Sequence, residues 1–367
     1  MIRPYADFAG ARCAGHRSSQ IRFAVLAALA ALFLPASQGR AQTKVPPAPA
    51  AQAMPSAPHA APVPAAPAPS AAPVFPKPDP KNFTADSPTR DTVNSFLQAI
   101  WGYDENRVWQ VQAILKTETP GVSKVIIFAG DKTGKERPQA VAFFTMPDGH
   151  HIITGDQMSD FGAHPFAANR EILEQRADGP YRGAASKDFE MVEFADFQCP
   201  VCKEAQANMD KLAVDFPSAR IVYQFFPLTE IHPEAMRSAE YGECVDKLGG
   251  STAFFQFAAA AFDGQAGLST PDGATLTLNS AVIKAGLTPA KVAACVADPS
   301  TAAAVNASVK LAQDLDINRT PTLVVNGREV PPNIPYDLLK KIVEYQAKLD
   351  GIALSEPAAA APAPASK

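Results

Sequence analysis

The sequence predicts an α/β domain with a long helical insertion, preceded by a small α+β domain. An apolar run at 189–194 leads into an amphipathic helix at 200–216, and a second apolar run follows at 221–226. A helical stretch at about 232–315 then separates this unit from a strand at 321–325, an Asn326-Gly327 turn, a short strand at 328–330 and a closing helix at about 336–349. Strand-helix-strand followed by a hairpin and a helix is typical of a mixed sheet covered by helices. The segment 83–182, ahead of it, is rich in strand signals.

The first 41 residues have the features of a secretory signal peptide. Arg17 and Arg22 precede an apolar run at 23–34, and Gly39-Arg40-Ala41 then supplies small residues around a cleavage point. The alternative is a membrane anchor, but about a dozen apolar residues fall short of the roughly 20 that span a bilayer. We therefore expect cleavage of residues 1–41 and a periplasmic or other extracytoplasmic location.

Two segments consist mostly of Ala and Pro, at 42–82 and at 353–367. Such segments bury too little apolar surface to offset their ordering entropy, so we expect a disordered linker and a disordered tail. The residues between them suffice for two domains, at 83–182 and 183–352. The net charge of −4 and the lack of a basic block argue against a nucleic-acid partner.

The segment 83–182 contains one predicted helix and several strands. The helix begins at Asp91-Thr92, and its apolar face consists of Val93, Phe96, Leu97, Ile100 and Trp101. The strand runs are 108–117, 124–128, 140–145 and, after an Asp148-Gly149 turn, 150–154. His150 and His151 are adjacent on a strand and point to opposite faces, which disfavours a metal site. This segment could dimerise or bind an unfolded substrate, or it could have only a structural role. The sequence leaves these alternatives open.

Two cysteines, Cys199 and Cys202, lie where an apolar strand turns into a helix. A helix N-terminus presents unpaired N–H groups and a partial positive charge to the first sulfur. That field favours the thiolate, which is the form that attacks disulfides. The spacing therefore predicts a redox site.

The cysteine count supports a second disulfide. Of five cysteines, Cys13 lies in the predicted signal peptide, and the remaining four permit two disulfides in three connectivities. The close pair belongs together, which leaves Cys244 with Cys295. A structural bridge there closes a loop of about 50 residues and contributes roughly 4 kcal/mol. The alternative is a second redox pair, which needs proximity to Cys199.

The run Phe194-Ala195-Asp196-Phe197-Gln198-Cys199-Pro200-Val201-Cys202, with Thr320-Pro321-Thr322-Leu323 downstream, resembles DsbA-type thiol–disulfide oxidoreductases of the thioredoxin superfamily. The resemblance covers roughly residues 184–351, includes the helical insertion, and implies a thioredoxin fold. The segment ahead of it is similar in position to the dimerising domain of the DsbC and DsbG isomerases. That similarity implies that a homodimer could form through 83–182.

The resemblance assigns roles to four residues. It implies that Cys199 is the nucleophile and that Cys202 resolves the mixed disulfide. It also implies that Pro321 is cis and that Thr320 offers backbone groups to a substrate strand facing the sulfur. Val201 stands where DsbA and DsbG carry His or Tyr, so one donor to the Cys199 thiolate is missing.

Three further residues surround the motif. By the family pattern, Glu193 is a buried acid that relays a proton to or from Cys202, and burial should raise its pKa. The alternative is that Glu193 faces outward along an edge. Asp196 has the opposite parity on that strand, so we expect it nearer the surface. We interpret His232-Pro233 as a helix start rather than a catalytic or zinc site.

These features predict an exported thiol–disulfide oxidoreductase that forms or isomerises disulfides in cysteine-containing exported proteins. No cofactor or metal is expected, because the electrons travel in the cysteines, and a membrane redox partner must reset the pair. Oxidase, isomerase and reductase directions all remain open. The alternative from another class is a tethered binding or chaperone module in which the pair is only structural. A zinc site on Cys199 and Cys202 lacks a second ligand pair.

Overall fold

The computed structural model describes residues 75–134, 137–155 and 157–355. The predicted signal peptide, most of the predicted linker and most of the predicted tail lie outside these residues. Residues 75–82, at the end of the predicted linker, include a 3-10 turn at Pro80–Asn82. Gln112 donates a hydrogen bond to the carbonyl of Pro76 at 3.0 Å, so this end of the linker contacts the strand that carries Gln112.

The first sheet has five antiparallel strands in chain order. They are β1 Arg107–Lys116, β2 Ser123–Asp131, β3 Gln139–Thr145, β4 His151–Thr154 and β5 Gln157–Asp160. Alternate residues of β2 are buried, as the period of a strand requires. The sequence did not predict β5, because it is short and carries no β-branched residue. Its pairing with β4 makes it a strand.

Helix α1, Arg90–Trp101, covers one face of this sheet. The Thr89 side chain accepts a hydrogen bond from the backbone N–H of Thr92 and caps the helix N-terminus. Val93, Phe96 and Leu97 are buried in a cluster with apolar residues of β1, β2 and β3. The apolar spacing read from the sequence therefore becomes the core of the first sheet.

The second sheet has the strand order β10-β9-β7-β8-β6. Its strands are β6 Tyr181–Gly183, β7 Glu190–Ala195, β8 Arg220–Phe225, β9 Thr322–Val325 and β10 Arg328–Val330. Only β7 and β8 pair in parallel, so β7 lies in the centre with a parallel neighbour on one side and antiparallel β9 on the other. β6 joins this sheet although it lies at or before the domain boundary expected near residue 183.

Seven helices surround the second sheet within the described residues: α2 Ala167–Arg176, α3 Pro200–Asp215, α4 Ala235–Asp263, α5 Pro271–Lys284, α6 Pro289–Val296, α7 Pro299–Asp314 and α8 Tyr336–Leu349. Helices α3 and α8 bury their apolar residues on one face of the sheet, and α2 and α7 on the other. The stretch α4–α7 lies between β8 and β9, where the sequence predicted an insertion. Within α4, Gly250 has a φ of 73° and kinks the helix.

Arg328 on β10 connects the two sheets through α1. It is buried, and its guanidinium donates hydrogen bonds to the carbonyls of Ala99 and Ile100 at the end of α1. Nε donates to Gln346 Oε1 at 2.8 Å, and the guanidinium carbon lies 4.2 Å from the centre of the Phe166 ring. Burial lowers the pKa of Arg328 to about 10, so it stays charged at neutral pH.

We expect Arg328→Ala to lower the free energy of unfolding by about 2–4 kcal/mol, because it leaves buried carbonyls without donors. Chemical denaturation measures this loss. The control is Arg176→Ala, which removes a surface ion pair with Asp314 and should cost less than about 1 kcal/mol. Equal losses in the two variants would contradict a connecting role for Arg328.

Candidate active site

The turn that carries both cysteines of the close pair joins β7 to α3. Cys199 is the N-cap of α3, and Pro200 occupies the first helical turn, where a missing N–H costs nothing. The backbone N–H groups of Cys202 and Lys203 donate to the Cys199 carbonyl at 3.1 and 3.3 Å. Both cysteines are free thiols; 6% of Cys199 and 0% of Cys202 is exposed. Cys199 is therefore the sulfur nearer the solvent.

The two sulfurs differ strongly in their acidity. A hydrogen bond from the Cys202 thiol, aided by the backbone N–H groups of Val201 and Cys202, lowers the pKa of Cys199 to about 5, although burial opposes this. Burial raises the pKa of Cys202. At neutral pH the arrangement thus holds one thiolate at the helix N-terminus and one protonated thiol behind it.

The peptide bond between Thr320 and Pro321 is cis and lies opposite Cys199. The Cys199 Sγ is 3.6 Å from the carbonyl oxygen of Thr320. Thr322, the first residue of β9, pairs with Phe194 near the end of β7, and this pairing brings the two loops together. The Thr320 hydroxyl is buried beside the two sulfurs and contributes to the lowered pKa of Cys199.

Glu193 is buried on the central strand, on the face covered by α3, and not along an outer edge. Its Oε1 accepts a hydrogen bond from Gln206 Nε2 at 2.9 Å, and the same amide donates to the carbonyl of Cys202 at 3.2 Å. Burial raises the pKa of Glu193 to about 7, against the opposing effects of Arg182 and Gln206. This carboxyl can therefore gain or lose a proton near neutral pH. The Gln206 side chain lies between it and the backbone of Cys202.

The expectation that Asp196 lies near the surface is wrong, since only 2% of the residue is exposed. Its Oδ1 accepts from the backbone N–H of Gln198 at 2.8 Å. Its Oδ2 accepts from the backbone N–H of Leu228 at 2.9 Å and from His232 Nδ1 at 2.7 Å. Three donors offset the cost of burying the carboxylate. Strand parity fails here because β7 ends at Ala195, one residue earlier.

Sequence reasoning missed the groups that hold the turn against the helical insertion. Gln198 donates to the carbonyl of Leu268 at 2.8 Å and accepts from the backbone N–H of Glu234 at 2.6 Å. Gln265 donates to the carbonyls of Phe197 and Cys199 at 2.8 and 2.9 Å. The partners of each amide lie 36 to 70 residues away along the chain, so no local pattern could have indicated them.

A disulfide joins Cys244 on α4 to Cys295 on α6, with 5.8 Å between their Cα atoms. The hydroxyl of Thr301 lies 3.5 Å from the Cys244 sulfur and 3.7 Å from the Cys295 sulfur. Cys244 is fully buried. The bridge therefore lies inside the helical insertion and connects two of its helices.

Of the two adjacent histidines of the first sheet, His151 forms ion pairs at the surface. His151 lies between Asp148 and Asp160, 2.7 and 3.4 Å from their carboxylates. Among the described residues, no group of three or more His, Cys, Asp or Glu side chains is arranged to hold a metal ion. A helix long and apolar enough to cross a membrane is likewise not found in the described part of the chain.

A protein-family comparison supports the predicted fold. Residues 175–345 match the family model described as "Thioredoxin". The match covers the second sheet from β6 to β10 and the whole of the helical insertion. The prediction of a thioredoxin fold with a helical insertion is thereby confirmed.

The curated relatives are much longer than the segments that match. The chain is 40% identical over 68 residues to the Na(+)/H(+) antiporter NhaA 3 of Salinispora tropica, which covers 18% of this chain and 10% of the antiporter. It is 30% identical over 166 residues to the Na(+)/H(+) antiporter NhaA 1 of Mycolicibacterium vanbaalenii, covering 44% of this chain and 24% of the antiporter. The chain thus spans a quarter or less of the length of these relatives.

Solved structures with a similar fold include a thioredoxin-like oxidoreductase from Silicibacter pomeroyi, at 27% identity and a TM-score of 0.42, covering 49% of this chain and 98% of that chain. A periplasmic thioredoxin-like protein from Salmonella enterica serovar Typhimurium has 19% identity and a TM-score of 0.42, covering 49% and 97%. Oxidised BdbD from Bacillus subtilis has 22% identity and a TM-score of 0.40, covering 46% and 93%. All three cover about half of this chain.

Proposed function

We propose, on the premise that residues 175–345 belong to the thioredoxin family, that this chain is an exported thiol–disulfide oxidoreductase acting through Cys199 and Cys202. The observation that carries the proposal is the difference between the two sulfurs. Cys199 has a pKa lowered to about 5 at a helix N-terminus, while burial raises the pKa of Cys202. A bridge with only a structural role has no need of an acidic thiol beside a protonated one.

The reaction needs only the two cysteines and a substrate. In the oxidising direction, a substrate thiolate attacks Cys199 Sγ of the Cys199–Cys202 disulfide, and Cys202 leaves as a thiolate that takes up a proton. A second substrate thiolate attacks the substrate sulfur of the mixed disulfide and releases the Cys199 thiolate. The substrate loses two electrons and the pair gains two. In the reducing direction, Cys199 attacks a substrate disulfide and Cys202 resolves the intermediate.

The other groups of the site support these steps. The Thr320 carbonyl, 3.6 Å from Cys199 Sγ, marks where the backbone of a substrate strand would lie beside Pro321. We also propose that Glu193 exchanges a proton with Cys202; its support is the buried carboxyl with a pKa raised to about 7, which Gln206 connects to the Cys202 backbone carbonyl. The Cys244–Cys295 bridge has a structural role in the insertion, since it connects two packed helices.

The proposal extends to location and partners. The signal-like segment 1–41 supports export to a periplasm or another extracytoplasmic space, where cysteine-containing exported proteins are the substrates. A membrane redox partner resets the pair after each turnover. A homodimer through residues 83–182 is the assembly that an isomerase would use.

The test is equilibration of the purified protein with glutathione buffers, read by thiol alkylation with a mass-shifting reagent. We expect one two-electron transition from Cys199–Cys202, which Cys199→Ser abolishes, while Cys244–Cys295 stays oxidised. Absence of exchange with glutathione and with a cysteine-containing unfolded protein would overturn the proposal. So would full retention of the cellular activity by Cys199→Ser, which would indicate a binding or chaperone module.

The same alkylation after acid quench of cells gives the direction of electron flow. A pair found mainly oxidised identifies a donor of disulfides. A pair found mainly reduced identifies an isomerase or reductase, which must attack existing disulfides. Thr320 resembles the residue of the isomerases more than that of the strongly oxidising DsbA, and Val201 lacks a side-chain donor to the Cys199 thiolate, so both outcomes are informative.

A further inference from the structure

A buried carboxylate belongs to the same tight turn as both sulfurs of the active site. Asp196 lies three residues before Cys199, and its carbonyl accepts a hydrogen bond from the Cys199 backbone N–H at 3.1 Å. The Asp196 backbone N–H is directed at Cys202 Sγ at 3.5 Å. Because Asp196, Cys199 and Cys202 are all buried, water screens the carboxylate charge weakly and this charge acts on a thiolate formed in the turn.

His232 provides the one side-chain donor to this carboxylate among the described residues, and the other donors are backbone N–H groups. A carboxylate only accepts hydrogen bonds, so the contact of 2.7 Å requires a proton on His232 Nδ1. Its Nε2 makes no hydrogen bond to any residue that the structure describes, and 17% of the side chain is exposed. Of the nearby charges, Glu230 is exposed, and Glu234 faces Arg237 at 3.4 Å.

We infer that His232 is a positioning residue that acts through Asp196 to stabilise the Cys199 thiolate. This inference rests on the proposed function and refines it. The Nδ1–H group holds Oδ2 towards the loop after β8 and compensates part of the carboxylate charge. Without that donor, more of the negative charge acts on Cys199, and the thiolate becomes less stable. Neutralising Asp196 should have the opposite effect, because the repelling charge itself is removed.

The test compares His232→Ala, Asp196→Asn and the double variant in the full chain, with His150→Ala as a control at an exposed histidine of the first sheet. Ultraviolet absorbance of the thiolate follows the titration of Cys199. We expect His232→Ala to raise the titration midpoint by about one pH unit, and Asp196→Asn to lower it. The double variant should behave as Asp196→Asn alone, since His232 acts through that carboxylate. His150→Ala should titrate like the wild type.

A second readout is the equilibrium with glutathione, which His232→Ala should shift by about tenfold towards the disulfide. His232→Asn keeps an N–H near the position of Nδ1, so its titration midpoint and its equilibrium with glutathione should be close to those of the wild type. This variant also tests the inference if His232→Ala does not fold. A wild-type midpoint in His232→Ala, or an equal shift in the Asp196→Asn background, would overturn the inference. Failure of the wild type to exchange with glutathione would instead count against the proposed function alone, because the thiolate titration needs no exchange.

Discussion

Cys199→Ser is expected to reduce thiol–disulfide exchange to the rate of the buffer alone. The pKa of Cys199, about 5, makes this sulfur almost entirely thiolate at neutral pH, about thirtyfold more than an ordinary cysteine. A serine hydroxyl does not ionise in this range and cannot form the mixed disulfide. The rate of attack by the wild type should also fall as the pH drops through about 5, because the thiolate becomes protonated.

Cys202→Ser is expected to keep the first attack within about tenfold and to accumulate the mixed disulfide, because the resolving thiol is gone. Mass spectrometry of the protein incubated with an oxidised peptide measures the adduct on Cys199. The matched control removes the other pair, Cys244→Ser with Cys295→Ser, and should form no lasting adduct. An adduct of equal yield in Cys199→Ser would show that Cys199 is not the nucleophile.

Glu193→Gln is expected to change how stability depends on pH. Burial raises the pKa of Glu193 from 4.5 to about 7, so between these values the folded protein holds a proton that the unfolded chain has lost. The wild type therefore loses stability as the pH rises through this window, by about 3 kcal/mol from this group. Glutamine has no proton to lose, so the free energy of unfolding of the variant should exceed that of the wild type increasingly from pH 4.5 to 7.

Glu193→Gln should also slow the steps in which Cys202 gains or loses its proton, and remove an inflection near pH 7 from the rate. Stopped-flow exchange with a peptide measures both effects. The matched control is Glu190→Gln on the same strand. Burial also raises the pKa of Glu190 to about 7, but its charged partner is Arg220, 3.2 Å away. Glu190→Gln should alter stability and leave the rate profile intact; the same rate change in both variants would contradict a relay by Glu193.

Most of the fold could be predicted from the sequence, because its elements follow local rules. Alternation, apolar runs and turn signals indicated β1 to β4 and β7 to β10, and the face of α1 matched the helical period. The short strand β5 escaped prediction, since its polar residues become a strand only through pairing with β4. The hydrogen bonds by which Arg328 connects β10 to α1 were not predicted either. An arginine on a short strand carries no sign that its partners are carbonyls more than 200 residues earlier.

The sequence by itself determined where the two candidate reactive cysteines lie, because four consecutive residues at a strand-to-helix turn place Cys199 at the helix N-terminus and Cys202 one turn inside. Only the tertiary structure decided what surrounds them. It buried Asp196, which strand parity had placed near the surface, and set His232 against it from 36 residues away. Helix starts and strand periods depend on neighbours within a few residues, whereas the compensation of a buried charge depends on whichever donors the completed fold brings within hydrogen-bond distance.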